Sequence, residues 1–352
     1  MSVLFFRYSG GGLKTMNVVI MAGGKGTRFW PRSVDSMPKQ FLPFHSERTL
    51  IQETVSRFRK IVSDSQLYII APARYLPLLE EQLPEFTQDQ LILEPEQKDT
   101  AACIALAAFR FQQRGDDEPA IFVPSDQYIA EEEPFLAAVK RAAEMAKRPG
   151  AIVTLGIEPT RPETGFGYMK TTEAGADEEL PESVLPVLRF LEKPTAERAE
   201  RLIREPGTYW NSGIFVCRPS TLARRMEQFQ PAIWNSLIEH PLDVAAAYAL
   251  MPRLSIDFAV MERAESMYCI PVQCGWDDIG SWAVLGRHWT PDADGNVSKG
   301  SVTLKESSGN TVYIADKDAL IIGVHDLIIV STPSGLLVCP KTEEFRLKMW
   351  LK

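Results

Sequence analysis

The sequence predicts an α/β fold: a doubly wound, mainly parallel, Rossmann-like sheet, followed by a small all-β, β-helix-like unit at the C-terminal end. Three observations predict it. Strand-like runs alternate with helix-like segments from Val18 to Gly156, as in parallel sheets with helical crossovers. The glycine-rich turn after Met21 and Pro124-Ser125-Asp126 after Val123 both follow strand carboxyl ends, where ligands of such sheets bind. After Trp289 the composition shifts to short β-rich runs with Gly and Asp turns.

Taken in order, Val18–Met21 is a strand, Thr49–Phe58 a helix and Gln66–Ala71 a strand. Ala101–Gln113 is Ala-rich and helical, Ala120–Val123 a strand, Pro134–Lys147 a helix and Ala151–Gly156 a strand. Thr164-Gly-Phe-Gly-Tyr168 then opens an insertion with a polar stretch, Thr171–Glu182. The strand Leu188–Leu191, the helix Ala196–Arg204 and the run Tyr209–Val216 come next. In the tail, Val312–Ala315, Ala319–Val324, Leu327–Ser331 and Leu336–Cys339 read as strands and Phe345–Leu351 as a terminal helix. No fixed-period repeat supports a full solenoid. The expected division is a large domain over 16–289 and a small one over 290–352. Residues 1–15 are too short and poorly organised for a secretory signal, and are expected to be a mis-assigned start or a disordered leader.

A chain of 352 residues suits one large α/β unit plus a smaller one. Its 38 Lys+Arg against 46 Asp+Glu give a net charge of −8. That argues against nucleic acid as a partner but leaves room for a local basic pocket. The five cysteines form no Cys-x-x-Cys pair, which fits reduced thiols of a cytoplasmic protein better than a disulfide framework or zinc site. The four histidines (His45, His240, His288, His325) show no metal spacing. No run of eighteen apolar residues marks a membrane span.

The chemistry concentrates in the first turn. Gly23, Gly24 and Gly26 follow a β-branched strand, Arg28 comes next, and Lys39 arrives eleven residues later. Glycines let successive N–H groups point at one anion, with no Cβ in its way, and two cations supply what a polyphosphate needs. The turn is neither a Walker loop nor Gly-x-Gly-x-x-Gly. Asp126 and Asp278 end up in strand-end loops; two such carboxylates plus phosphate oxygens suit Mg2+. A turn Asp is ordinarily solvated or capping, and spacing does not show that the two meet. Lys193, beside Glu192, could reach a phosphate or form an exposed ion pair. Asn211 suits a sugar hydroxyl or a plain turn. Trp276 and Trp282, bracketing the acidic loop, read as core packing.

The ordered set Gly23-Gly-Lys-Gly-Thr-Arg-Phe-Trp-Pro31, Pro38-Lys-Gln-Phe-Leu42, Glu94-Pro95 with Thr100-Ala101, Phe190-Leu-Glu-Lys-Pro194, Trp210-Asn-Ser-Gly-Ile-Phe215 and Trp276-Asp-Asp-Ile-Gly-Ser-Trp282 resembles the mannose-1-phosphate guanylyltransferases (GDP-mannose pyrophosphorylases). The likeness runs from Asn17 nearly to the C-terminus. It implies a nucleotidyltransferase with a nucleotide half over about 16–156 and a sugar half over about 157–289. It further implies that Gly23, Gly24, Gly26, Thr27 and catalytic Arg28 hold the GTP phosphates with catalytic Lys39 beside the α-phosphate, and that Ala22 and Ser125 also bind the nucleotide. Glu94, Pro95 and Lys98 would lie near the base or ribose, and Asp126 and Asp278 on Mg2+. Gly165, Gly167, Tyr168, Glu192, Lys193, Asn211 and Asp257 would line the mannose 1-phosphate pocket. Two departures stand out: Asp126-Gln127 where similar proteins have Asp-His, and Lys98-Asp99-Thr100 where they have Arg-Asn-Thr. The second puts base preference in question. A homodimer through the β-rich tail is expected. Too few residues follow Trp289 for an isomerase barrel, so a single activity is expected.

Overall fold

The computed structural model describes residues 16–44 and 46–351; the expected leader (1–15), His45 and Lys352 lie outside them. The chain forms two compact units. One comprises the chain up to Gly23, Val55–Pro124 and Ile129–Trp276; the other comprises Gly24–Thr54, Ser125–Tyr128 and the chain from Asp277 onward. This differs from a division at 289/290. The reason is a shared core: Phe29, Phe44, Leu50, Ile279, Trp282 and Leu285 are buried in one cluster with Val297, Ile328, Val330 and Leu337 of the tail. Phe29 meets Phe44 edge-on at 5.0 Å and Trp282 at 5.4 Å.

The strands are β1 (Asn17–Met21), β2 (Leu67–Pro72), β3 (Leu91–Glu94), β4 (Ala120–Pro124), the two-residue β5 (Tyr128–Ile129), β6 (Ile152–Ile157) and β7 (Tyr168–Thr171). They continue with β8 (Leu185–Leu191), β9 (Thr208–Cys217), β10 (Met267–Pro271) and the two-residue β11 (Trp276–Asp277). In the first unit nine of them form one sheet, ordered β3-β2-β1-β4-β9-β6-β10-β8-β7. Its first half is parallel, as expected: β1 pairs with β2 and β4, and β2 with β3. The second half is mixed. β6 and β10 are parallel, whereas β9 runs antiparallel to β4, β6 and β7, and β8 antiparallel to β7 and β10.

The helices α1 (Leu50–Phe58), α2 (Leu76–Gln82), α3 (Thr100–Gln113), α4 (Glu132–Met145) and α5 (Ala196–Leu202) include every helix expected before β9, close to its expected span. Helix α3 is buried all round from Ala101 to Ala108; its small side chains suit a helix enclosed on every face. In the tail, β12 (Val297–Lys299), β14 (Thr311–Ile314) and β16 (Leu327–Thr332) stack in parallel, as do β13 (Val302–Lys305) and β15 (Ala319–Ile322). β17 (Gly335–Pro340) closes antiparallel on β16. This is a short β-helical coil. Its corner is held by buried amides: Asn310 Nδ2 donates to Asn296 Oδ1 at 2.8 Å, and Asn310 Oδ1 accepts from Leu327 N at 2.9 Å. The terminal segment is a 3-10 turn, Lys341–Arg346, leading into a short helix, Leu347–Trp350.

Candidate active site

The glycine loop keeps its donors free. Among the described residues, the N–H groups of Gly24 through Arg28 make no hydrogen bond. The carbonyls are held instead: Gly24 O accepts from Gln40 Nε2 at 3.0 Å, Lys25 O from Ser33 Oγ at 3.0 Å, and Gly26 O from Phe29 N at 2.9 Å. Just upstream, buried Ala22 follows β1 with its N–H on Ile70 O at 2.8 Å, and Gln97 Nε2 donates to Gly23 O. A turn with pinned carbonyls and unmatched N–H groups has the chemistry to receive an anion. Gly26 has φ +63°, and a Cβ there would lie 2.4 Å from Lys39 Cβ, so only glycine lets Lys39 pack beneath the turn.

Lys39 is 4% exposed. Its Nζ donates to Asp126 O at 3.2 Å and Asp278 O at 3.1 Å, and lies 3.1 Å from Asp126 Oδ2. The two expected metal acids, distant in sequence, are thus gathered on one ammonium within the second unit. Buried Ser125 helps fix the Asp126 segment: its carbonyl accepts from Thr54 Oγ1 at 3.2 Å. The Asp278 carboxyl is raised above the usual range, first by burial, against the opposing charge of Lys39, with Asp126 pushing it further up and Arg28 pulling it down. Arg28, exposed just after Thr27 in a 3-10 turn, makes no ion pair among the described residues.

Three residues here escaped sequence reasoning. Ile279, fully buried, holds φ +40°, a strained value for a β-branched residue, which fixes the backbone turn after Asp278. A Cβ on Gly280 would lie 3.0 Å from Arg28 Nη1 and 3.1 Å from Asp278 Oδ2, so this glycine leaves the space those two groups share. Glu344 is buried and accepts from Trp282 N and Ala283 N. Burial raises its carboxyl, while those bonds and the Arg28 charge pull it down. Gly280 sat inside a motif and could have been found; Glu344 sits in the tail with no local signal. Trp282 is core, with Nε1 donating to Trp30 O at 3.2 Å. Trp276 is half-buried, edge-on to Phe166 at 5.4 Å.

The first unit carries a second polar group. Asn211, on β9, donates from Nδ2 to Asp257 Oδ1 at 3.1 Å and accepts at Oδ1 from Thr154 Oγ1 at 3.0 Å. Its N–H meets Gly167 O at 2.8 Å. A Cβ on Gly167 would lie 2.6 Å from Glu192 Oε2, so glycine leaves the Glu192 carboxylate its place beside β7. Lys193, at φ +45°, pairs with Glu192. The Asp257 carboxyl is raised by burial and by Glu192, with Lys193 opposing. Gly165 is an exposed turn residue whose N–H goes to Glu163 Oε1 at 3.2 Å, and the buried Tyr168 ring directs its hydroxyl to Glu163 O at 2.8 Å; neither of these bonds reaches the Asn211 group.

In the same unit, Glu94 is 3% exposed and accepts at Oε1 from Tyr248 OH at 3.1 Å. Burial pushes its carboxyl up to about 7, against the Tyr248 hydrogen bond, with Asp99 adding to the rise. Pro95 is exposed, and Lys98 Nζ lies 3.3 Å from Glu96 Oε1. Asp99, the departure noted in the sequence, caps α3 at φ 70°, ψ −177°, a region almost confined to glycine. Its neighbours explain how it is held: Leu254 N donates to Lys98 O at 3.2 Å and Ile256 N to Thr100 Oγ1 at 2.8 Å.

Comparison with known proteins bears on this arrangement. The family model described as nucleotidyl transferase matches residues 17–289. The chain is 36% identical to the mannose-1-phosphate guanylyltransferase of Salmonella muenchen and 33% identical to that of Escherichia coli (strain K12), covering 92% of this chain and 70% of each relative. It is 33% identical to the alginate biosynthesis protein AlgA of Pseudomonas aeruginosa, over 92% of this chain and 69% of that one. A crystal structure from Thermus thermophilus, titled a mannose-1-phosphate geranyltransferase, superposes with a TM-score of 0.86 at 29% identity, covering 96% of this chain and 98% of that one. The chain belongs to the nucleotidyl transferase family, on the branch that holds these mannose-1-phosphate guanylyltransferases.

Proposed function

We propose that this chain joins GTP and α-D-mannose 1-phosphate into GDP-mannose, releasing pyrophosphate. The observation that carries this reading is the gathering of Asp126 and Asp278 on Lys39, next to a loop with unmatched N–H groups. The N–H groups of Gly24 through Arg28 take the nucleotide's phosphate oxygens, and the Arg28 guanidinium neutralises charge that builds there as pyrophosphate leaves. Lys39 holds the two acids in place and adds its own charge. A sugar-phosphate oxygen attacks the α-phosphorus in line; no side chain needs to act as nucleophile. Catalysis then rests on positioning and charge stabilisation. The Asn211–Asp257 pair and Glu192 take sugar hydroxyls, Lys193 the sugar phosphate, and Glu94 and Lys98 the base or ribose.

Asp126 and Asp278 fit a divalent ion. The Asp126 charge disfavours ionisation of Asp278, and no cluster of three or more metal-ligating side chains that could hold an ion occurs among the described residues. Mg2+ suits such a site, since it takes one or two carboxylates and completes its shell with water and substrate phosphates. When bound it would polarise the phosphoryl oxygens and offset their charge.

The test presents purified protein and Mg2+ with each of four nucleoside triphosphates against mannose, glucose and N-acetylglucosamine 1-phosphates. Pyrophosphate release confined to GTP with mannose 1-phosphate is expected. Release with another pair reassigns the substrate, and release with none makes the chain a binding homologue. Asp278→Asn should abolish turnover in a protein that still folds. We further propose a cytoplasmic homodimer that buries the exposed Leu336 and Val338 of β17; a monomer by light scattering would remove that contact. No helix among the described residues is long and apolar enough to cross a membrane.

A further inference from the structure

A cavity of about 370 Å3 in the first unit lies among β7, β8 and α5, and the reading above leaves its cations unused. Lys170, Arg189, Arg198 and Arg201 line it, over a floor that includes Tyr168 and Leu191. Lys170 stands directly opposite Arg189 in the β7–β8 register. Like charges in that position destabilise a sheet. Helix α5 then adds Arg198 and Arg201, three residues apart and on one face. The single acid in the lining is Glu205, with its carboxylate 3.8 Å from Lys170. Among the described residues, Arg189, Arg198 and Arg201 have no carboxylate within ion-pair distance.

In a chain with a net charge of −8, four cations around one hollow with a single counter-charge is an arrangement whose self-repulsion an anion would relieve. Planar guanidiniums match phosphate oxygens in pairs. We propose that this cavity is a binding site for a small polyanion bearing a diphosphate group. Walls from three elements and the modest volume favour a small molecule over a polymer. The diphosphate could be inorganic pyrophosphate or part of a nucleoside diphosphate. Tyr168 and Leu191 neighbour Gly167 and Glu192 in the chain, so occupancy would bear on the β7–β8 pair from its other side.

The test is calorimetric titration of the full chain, at low salt and without Mg2+, with inorganic pyrophosphate and with GDP. Wild type is compared with Arg198→Ala/Arg201→Ala, two cations that the proposed function does not use. Each guanidinium lost should weaken binding about 10-fold, so the double variant should lose about 100-fold. Weakening for pyrophosphate alone assigns the inorganic anion; weakening for GDP, alone or with pyrophosphate, assigns a diphosphate ester. Isotherms unchanged for both anions overturn the site. Should the double variant fold poorly, Arg189→Gln on the exposed side of β8 gives the same readout at about 10-fold.

Discussion

The two polar clusters of this chain follow opposite electrostatic plans. In the second unit, a buried ammonium bridges two acidic segments and an unpaired guanidinium stands beside them. In the first, burial raises both the Glu94 and the Asp257 carboxyls, Asp99 adds to each rise, Glu192 adds to that of Asp257, and Lys193 opposes at Asp257 alone. The first plan suits reactants that arrive highly charged. The second holds carboxyls that keep a proton near neutrality and can donate as well as accept, which suits hydroxyls and base edges.

The comparison breaks most sharply at Lys39. Lys39→Met removes the cation that joins Asp126 and Asp278, and pyrophosphate release should fall roughly 10²–10³-fold. A variant with unchanged turnover would reduce Lys39 to a structural ion pair. The first unit answers to pH instead. A folded-state carboxyl at about 7, against 4.5 for the free group, means that the folded chain binds a proton the unfolded chain has lost. Stability therefore falls as pH rises from about 4.5 and levels off above about 7, by about 3 kcal/mol from this group. Glu94→Gln should remove that share of the decline between pH 5 and pH 8 in urea unfolding. An equally steep decline in the variant would mean that Glu94 is already ionised at neutrality.

Much of this was legible in the sequence where the signal was local. The strand–glycine turn, Ala-rich α3 and the β-rich tail each announce themselves through period and composition, and β1 to β4 are parallel as the alternation implied. What stayed hidden depends on pairing across long separations. The antiparallel insertion of β9 between β4 and β6 leaves no periodic trace, because a strand buried on both faces reads alike in either direction. The core shared by Phe29, Ile279 and the tail is equally invisible, and with it the role of Glu344. Lys39, Asp126 and Asp278 could each be named from sequence, but their meeting could not.

The smallest effect is the most discriminating one. Tyr248→Phe deletes only the hydroxyl that donates to Glu94 Oε1, a bond that favours the ionised carboxyl and holds its pKa down against burial. Without it the folded-state value moves further up, so the decline of stability extends to higher pH. A hydrogen bond to a charged acceptor is worth more than one to a neutral acceptor. The variant should accordingly cost about 1 kcal/mol more at pH 8, where Glu94 is ionised, than at pH 5, where it is protonated in both proteins. Equal costs at both pH values in urea unfolding would mean that the hydroxyl serves packing alone. A cost that grows with pH ties the raised carboxyl of the first unit to one named bond, and gives the electrostatic contrast with Lys39 a second, independent measurement.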